Sequence, residues 1–485
     1  MDGPYRHTKI IFTVGPATAQ PDVLDQLVAE GVDICRLNMA HASHEWTREV
    51  IGLLRAACKR QNRQVATLMD VKGPEIRTGD VGEPYELAEG EIFDFVSKFD
   101  RRADPPPEPQ SLEKDGIRCV TVNYPDMASD VQVGGTLLVD SGLVRLEILE
   151  ILEDRIRCKV IIPGPLGNRR HVNLPGIKVN LPALTRKDRA DVDLGIELQL
   201  DYYALSFVRE ADDLDILRAY LHEKGDEKAR IIAKIEDQSG ISNLGDIIKA
   251  SDGLMVARGD LGIECPFEQL PLIQRRAVND CINENKPVII ATHMLESMIE
   301  QPLPTRAEVT DIANAVFEQA DAVMLSGETT TGKYPVECVR VMKRIIRSVE
   351  NVAEKHARHQ FAFRTAKAKM LNASVVLSQE LENSAIVVFT RSGYLAHILS
   401  SIRPSRCPIF AFTDREQLFR QLLLFWGVEP FLMDFYADPE VTIREAFRYL
   451  LRQGWVAEGQ WMVVITNVIA SETVIDSIQM RQVET

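Results

Sequence analysis

Short apolar runs alternate with amphipathic segments along most of the chain. Eight runs have the length and composition of buried strands: KIIFTV (9–14), DICRLN (33–38), VATLMD (65–70), YYALSF (202–207), RIIAKIE (230–236), GLMVAR (253–258), PVIIAT (287–292) and DAVMLS (321–326). Each leads into a polar or glycine-containing turn and then into helical periodicity, as in PDVLDQLVAEG at 21–31. Alternation of this kind predicts parallel α/β architecture, and eight strands with crossover helices predict a (β/α)8 TIM barrel.

Between the third and fourth runs, from 80 to 171, the pattern changes to short, turn-rich segments of β-formers such as EIFDFVSKF, IRCVTVNY and RIRCKVII. This predicts an inserted all-β domain with an exposed proline-rich loop, ADPPPEPQ, at 103–110. An insertion after a barrel strand emerges on the face where the strands end, so it is placed to act as a lid. After the eighth run, 335–356 reads as a long helix with Pro335 at its first position. A second α/β pattern follows, with strands at 385–390, 408–413, 430–433 and 461–466 and the character of an open sheet. The predicted domains are a discontinuous barrel at 1–79 and 172–345, a β-barrel lid at 80–171, and a C-terminal α/β domain at 346–485.

A length of 485 residues suits roughly two to four domains, and 45% hydrophobic with 26% charged content is ordinary for a globular chain. The net charge of −15 argues against non-specific nucleic-acid binding, which needs basic surface. No apolar run approaches ~18 residues, so no membrane span is expected. The first residues, MDGPYRHTKIIF, lack the apolar core of a signal peptide, and the eight cysteines contain no C-x-x-C pair. These features predict a reduced, cytoplasmic protein.

Active sites of such barrels use residues just past the C-terminal ends of the strands. Those positions hold Arg36 and Asn38, Asp70 and Lys72, Lys234 and Glu236, Arg258 and Asp260, Thr292, and Ser326 with Glu328. Buried strands that end repeatedly in cations and carboxylates point to a charged ligand at one mouth; the bland alternative is a ring of solvated charges. Glu236 and Asp260 are hard oxygen ligands suited to Mg²⁺. Lys234 shares the Glu236 face by two-residue alternation and can neutralise a transferring phosphoryl group or a developing enolate. The competing reading of that couple is a structural ion pair. Arg36 and Arg77 could clamp phosphate oxygens bidentately. GETTTGKY at 327–334 fits G-x-x-x-x-G-K, but Tyr334 stands where a phosphate loop needs Ser or Thr, so none is expected.

The stretches KIIFTVGPAT (9–18), ICRLNMAHASHE (34–45), MDVKGPEIRTG (69–79), VNLPALTRKD (179–188), AKIED (233–237), MVARGDLGIE (255–264), ATHMLESM (291–298), PTRAEVTDIANAV (304–316) and VMLSGET (323–329) run in order through the barrel. They closely resemble the pyruvate kinase family. The resemblance implies the glycolytic transfer of a phosphoryl group from phosphoenolpyruvate to ADP, giving pyruvate and ATP. By motif, it implies Mg²⁺, or Mn²⁺ in its place, on Glu236 and Asp260, and Lys234 beside the phosphoryl group in flight. Arg36 would bind that phosphate, and Asn38, His41 and Arg77 would lie on the nucleotide side. Arg258, Gly259 and Asp260, through their backbone, with Thr292 would seat the substrate carboxylate. Thr292 is also linked to the final protonation, and Ser326 is placed with the substrate.

The resemblance further implies K⁺ on Asn38, Asp70 and the Val71 carbonyl, although Ala40 stands where the family supplies a serine oxygen. Glu75 is of the type associated with K⁺ dependence. His293 stands where glutamine is common, and Ser141 replaces one aspartate of the lid. A homotetramer is implied, as is a phosphorylated small-molecule effector at Thr390, Arg391, Ser392 and Gly393. The segment 465–479 lacks the loop that closes over fructose 1,6-bisphosphate, so the effector is left open. Two other classes stay in view: a barrel lyase acting on pyruvate-like enolates, and a regulatory paralogue without turnover.

Overall fold

The computed structural model describes residues 5–97, 113–352, 365–405, 407–470 and 473–484. The proline-rich loop at 103–110 and the end of the helix expected to reach 356 lie outside them. Eight parallel strands close into a barrel: β1 (Lys9–Thr13), β2 (Ile34–Asn38), β3 (Ala66–Val71), β4 (Tyr202–Leu205), β5 (Arg230–Ile235), β6 (Gly253–Ala257), β7 (Val288–Ala291) and β8 (Ala322–Leu325). They pair in the order β1-β8-β7-β6-β5-β4-β3-β2. Several apolar runs overshoot the ladder. Glu236, Arg258, Thr292 and Ser326 fall just past the last strand residue, which puts them on the rim.

Two-residue alternation sorts each strand between two cores. Ile10, Phe12, Cys35, Leu37 and Met69 pack outward with the helices. Ile11, Ile34, Leu68, Tyr202, Ile232 and Met255 fill the lumen, in one cluster with Leu371, Leu399, Leu422 and Phe425 of the C-terminal domain. That domain therefore plugs the end of the barrel where the strands begin. Continuing the inward-facing series along each strand gives Arg36 and Asn38 on β2, Asp70 on β3, and Lys234 then Glu236 on and after β5. The middle of the lumen is apolar and its mouth, where the strands end, is ionic; at the opposite end buried Lys9 donates to the Val428 carbonyl at 2.6 Å.

Local signals fix the surrounding helices. Thr185 and Thr305 form reciprocal capping boxes with Asp188 and Glu308 at the starts of the helices Arg186–Glu197 and Arg306–Phe317. Gly15, after β1, lies so close to Thr330 that an added Cβ would sit 2.6 Å from its Cα and 2.8 Å from its carbonyl oxygen. Backbone atoms cannot rotate aside, so Gly15→Ala is expected to cost about 1–3 kcal/mol, read as a lower urea midpoint. An unchanged midpoint would remove the close-approach argument.

The insertion forms a seven-stranded sheet and a two-stranded one around its own core of Phe93, Phe95, Leu137, Leu146 and Ile148. One helical turn, Met127–Asp130, interrupts it, and its last strand, Val172–Asn173, runs past residue 171. The C-terminal sheet has five strands, of which Ala385–Phe389, Ile409–Thr413, Val428–Leu432 and Trp461–Ala470 are parallel. The fifth, Thr473–Gln482, returns antiparallel on Trp461–Ala470 and was not among the expected strands. The stretch 327–334 forms a short helix, Gly327–Thr330, and the turn before the helix Pro335–Glu350, not a phosphate loop.

Candidate active site

The ionic end of the lumen opens into a cleft of about 410 Å³ between the barrel rim and the lid. Its walls bring together Arg36, Asn38, His41, Asp70, Arg77, Lys234, Glu236 and Asp260 from segments far apart in the chain. Lys234 is almost fully buried; its Nζ lies 3.0 Å from Asp70 Oδ1, 3.0 Å from Glu236 Oε1 and 2.6 Å from Ser206 Oγ. Arg36 donates through Nε to Asp70 Oδ2 at 2.7 Å and through Nη1 to Thr13 Oγ1 at 3.1 Å. Asp70 thus ties the two cations together.

Burial disfavours every one of these charges, so the shifts report what overcomes it. Burial opposes the Lys234 ammonium, but Asp70 and Glu236 outweigh it and hold its pKa above the usual lysine value. Burial likewise opposes ionised Asp70, yet Arg36 and Lys234 pull its pKa below the ordinary carboxylate range. Glu236 goes the other way. Burial, against the pull of Lys234 and aided by repulsion from Asp260 and Asp70, raises it to about 7. Two cations face three carboxylates here, and Glu236 is the one left under-compensated.

Beside this cluster, Gly259 N–H donates to Thr292 Oγ1 at 2.7 Å, and that hydroxyl donates to the Ala291 carbonyl at 2.6 Å. Thr292 and His293 both have left-handed backbones, with φ of 68° and 56°. The His293 side chain points outward and lies 3.5 Å from Glu296. Ser326 Oγ is buried without a hydrogen-bond partner, and Ser326 N–H donates to Glu328 Oε2 at 2.7 Å. The Arg258 side chain is turned away from the cleft into the protein, toward Asp311 at 2.7 Å. Only its backbone is left for a ligand.

The other expected positions are occupied differently. Asn38 Oδ1 accepts from Ala40 N–H at 3.2 Å, and Val71 is the last residue of β3, beside Leu205 of β4. Arg77 reaches Glu75 at 2.6 Å and donates to the Arg169 carbonyl of the lid at 2.8 Å. Asp140 of the lid pairs with Arg170 at 3.3 Å, within a left-handed turn shared with Ser141 and Gly142. In the C-terminal domain, Thr390 and Arg391 line a separate cavity of about 380 Å³ with Phe435 and Tyr436. Arg391 there pairs with Asp414 at 2.6 Å. Gly393 caps the helix Tyr394–Ile402 and donates to Thr390 Oγ1 at 2.8 Å; Ser392 is exposed.

Sequence reasoning missed three groups. Ser206 binds Lys234, Phe207 N–H donates to Glu236 Oε2 at 2.7 Å, and Arg169 brings lid backbone to Arg77. Ser206 ends an apolar run, so the strand-end rule that selected Thr292 applies to it equally. Phe207 contributes only an N–H from a left-handed residue, and Arg169 a carbonyl, so neither leaves a side-chain signal.

The lid meets the barrel at Asn173, whose Nδ2 donates to Glu264 Oε1 at 2.8 Å. Burial raises Glu264 to about 7; the Asn173 bond opposes this, and Asp237 and Asp260 add to it. A folded pKa above the unfolded one means that Glu264 favours folding most below its unfolded value and loses that contribution as pH rises through 7. Glu264→Gln is therefore expected to flatten the decline in stability between about pH 4.5 and 7.5, by up to ~3 kcal/mol. Urea midpoints of both proteins across that range check it, and parallel pH profiles would refute it.

The family model for the pyruvate kinase barrel domain matches residues 5–339, and that for the pyruvate kinase alpha/beta domain matches 368–477. The chain is 40% identical over 464 residues to pyruvate kinase isozyme G, chloroplastic, of Nicotiana tabacum, covering 95% of this chain and 80% of that one. It is 37% identical over 468 residues to a pyruvate kinase of Clostridium acetobutylicum, covering 95% and 96%. The crystal structure of a pyruvate kinase from Cryptosporidium parvum superposes with a TM-score of 0.89 at 32% identity, over 99% of this chain and 96% of that one. The chain belongs to the pyruvate kinase family.

Proposed function

We propose that the cleft transfers the phosphoryl group of phosphoenolpyruvate to ADP, giving pyruvate and ATP. The observation that carries this is the Lys234 ammonium held between Asp70 and Glu236 on the rim, with Arg36 locked beside it by Asp70. Phosphoryl transfer asks little covalent chemistry of a protein and much fixed charge, and this arrangement supplies fixed charge. The bond between the enol oxygen and phosphorus breaks while one forms to the terminal phosphate oxygen of ADP. Lys234 faces the charge that builds on the enolate oxygen, and Arg36 faces the phosphoryl oxygens. The first turn of the helix Arg258–Glu264 and the Thr292 hydroxyl orient the carboxylate. A proton then reaches the terminal carbon of the enolate on the Thr292 side. Asn38, His41 and Arg77, which line the same cleft, take the nucleotide.

Glu236 and Asp260 fit Mg²⁺. Glu236 is a buried carboxylate lifted to about 7 by burial and like charge, which a hard divalent cation would relieve. Mg²⁺ bound there would neutralise phosphoryl oxygens. The set proposed for K⁺ does not fit it as arranged. Asn38 Oδ1 is turned onto its own loop and Ala40 offers no oxygen, which leaves two of the expected oxygens missing. The cavity at Thr390 and Arg391 is proposed as a site for a phosphorylated effector, and a homotetramer is proposed from family resemblance.

The test is pyruvate release from phosphoenolpyruvate with ADP, Mg²⁺ and K⁺ present or omitted one at a time. Release that requires ADP and Mg²⁺ supports the reading, and turnover that ignores ADP removes it. Comparing K⁺ with choline as the only monovalent cation reads the remaining dependence.

A further inference from the structure

Arg258 sits in a motif shared across the cleft, yet its guanidinium does not face the cleft at all. The side chain is 7% exposed. Its Nη2 donates to the Thr292 carbonyl at 2.6 Å, and its Nε to the Ala291 carbonyl at 3.2 Å. Its Nη1 reaches Asp311 Oδ1 at 2.7 Å and Gln274 Oε1 at 3.3 Å. Gln274 is itself anchored, donating to Glu318 at 2.8 Å. The fork is thus fixed on one side by a carboxylate and an amide and grips two consecutive backbone carbonyls on the other.

Those carbonyls belong to a turn on the rim in which two successive non-glycine residues are left-handed. Thr292 is β-branched and left-handed, a combination that L-residues adopt only when their surroundings impose it, and His293 repeats the conformation. The turn aims the Thr292 hydroxyl at Gly259 N–H. Arg258 and Gly259 are adjacent in the chain, so one segment holds both the backbone and the hydroxyl of Thr292.

We infer that Arg258 is a positioning residue that acts through Thr292, holding this turn left-handed so that the hydroxyl stays at the substrate carboxylate and the enolate. The inference rests on the role of Thr292 stated under the proposed function. A lysine carries its three donors on one compact nitrogen in place of a planar fork of three nitrogens, so it cannot span Thr292, Ala291 and Asp311 together. A displacement of about 1 Å in an oriented group can cost on the order of 10²-fold in rate.

The test is a double-mutant cycle with Arg258→Gln, Thr292→Ala and both together, read as kcat/KM for phosphoenolpyruvate and KM for ADP. Arg258→Gln is expected to lower kcat/KM for phosphoenolpyruvate by roughly 10²-fold with KM for ADP unchanged. Adding it to Thr292→Ala is expected to cost little more, because both changes remove the same hydroxyl from its place. Losses that multiply, or a matching rise in KM for ADP, would overturn the inference. Full activity in Thr292→Ala alone would overturn the role of Thr292 itself, which separates the two failures. If Arg258→Gln does not fold, Arg258→Lys takes its place in the cycle with the same two outcomes.

Discussion

Lys234→Met is expected to lower phosphoryl transfer by ~10³-fold or more while the protein remains folded at neutral pH. The ammonium is the cation that Glu236 and Asp70 share, and a reacting enolate oxygen would meet it in a site from which water is largely excluded. Charge stabilisation there is worth several times its value in water. The fold survives because the charges left behind have other outlets. Asp70 keeps Arg36, and Glu236, already at about 7, can take up a proton.

That second outlet gives the variant a pH signature. A carboxylate whose folded pKa lies above its unfolded value contributes most to stability at low pH and loses that contribution as pH rises through the folded value. Without Lys234 the folded value moves further up. The variant is expected to match the parent protein in thermal stability near pH 6 and to fall behind it progressively above pH 7. Near-normal turnover would refute the role of Lys234, and equal melting temperatures at pH 6 and 8.5 would refute the account of Glu236.

The largest effect on stability is expected at the other end of the barrel. Asp321 immediately precedes β8 and is 1% exposed. Its carboxylate takes Arg403 Nη1 and Nη2 at 3.0 and 2.6 Å, Trp426 N–H at 3.0 Å and Val288 N–H at 3.0 Å. One side chain therefore joins two barrel strands to two segments of the C-terminal domain. Asp321→Ala leaves a buried guanidinium without its carboxylate, held only by Ser400, and two N–H groups unpaired, and should cost about 3–5 kcal/mol. The loss should show first as undocking of the C-terminal domain, read by limited proteolysis between 365 and 484 and by a lower urea midpoint. A cost under about 1 kcal/mol would mean that water or a neighbouring carboxylate replaces Asp321.

The barrel was legible in the sequence because its signal is local: eight apolar runs, each with its own turn and helix. Runs overshot where strands end in rim residues, since an apolar-to-polar switch marks the lumen mouth less sharply than the loss of ladder pairing. The strand Thr473–Gln482 was missed because its sequence, TVIDSIQMRQ, is mostly polar; pairing with Trp461–Ala470 makes it a strand. The same contrast runs through the site. Lys234 and Glu236 could be placed on one face by counting residues, and the structure puts them 3.0 Å apart. That Asp70 would be consumed by Arg36 and Lys234 could not be counted, because the three lie on different strands.

The sequence by itself determined the number of barrel strands, the inserted lid, and which residues alternate inward toward the mouth of the barrel. Those follow from a two-residue period and from turn chemistry, which act within a few residues. Only the tertiary structure decided how the buried charges pair: Arg258 turned from the cleft onto the Thr292 turn, Ser206 joined to Lys234, and Asp321 spent on the C-terminal domain. A buried charge must find a partner, and which one it finds depends on groups tens to hundreds of residues away that only the closed barrel brings within reach.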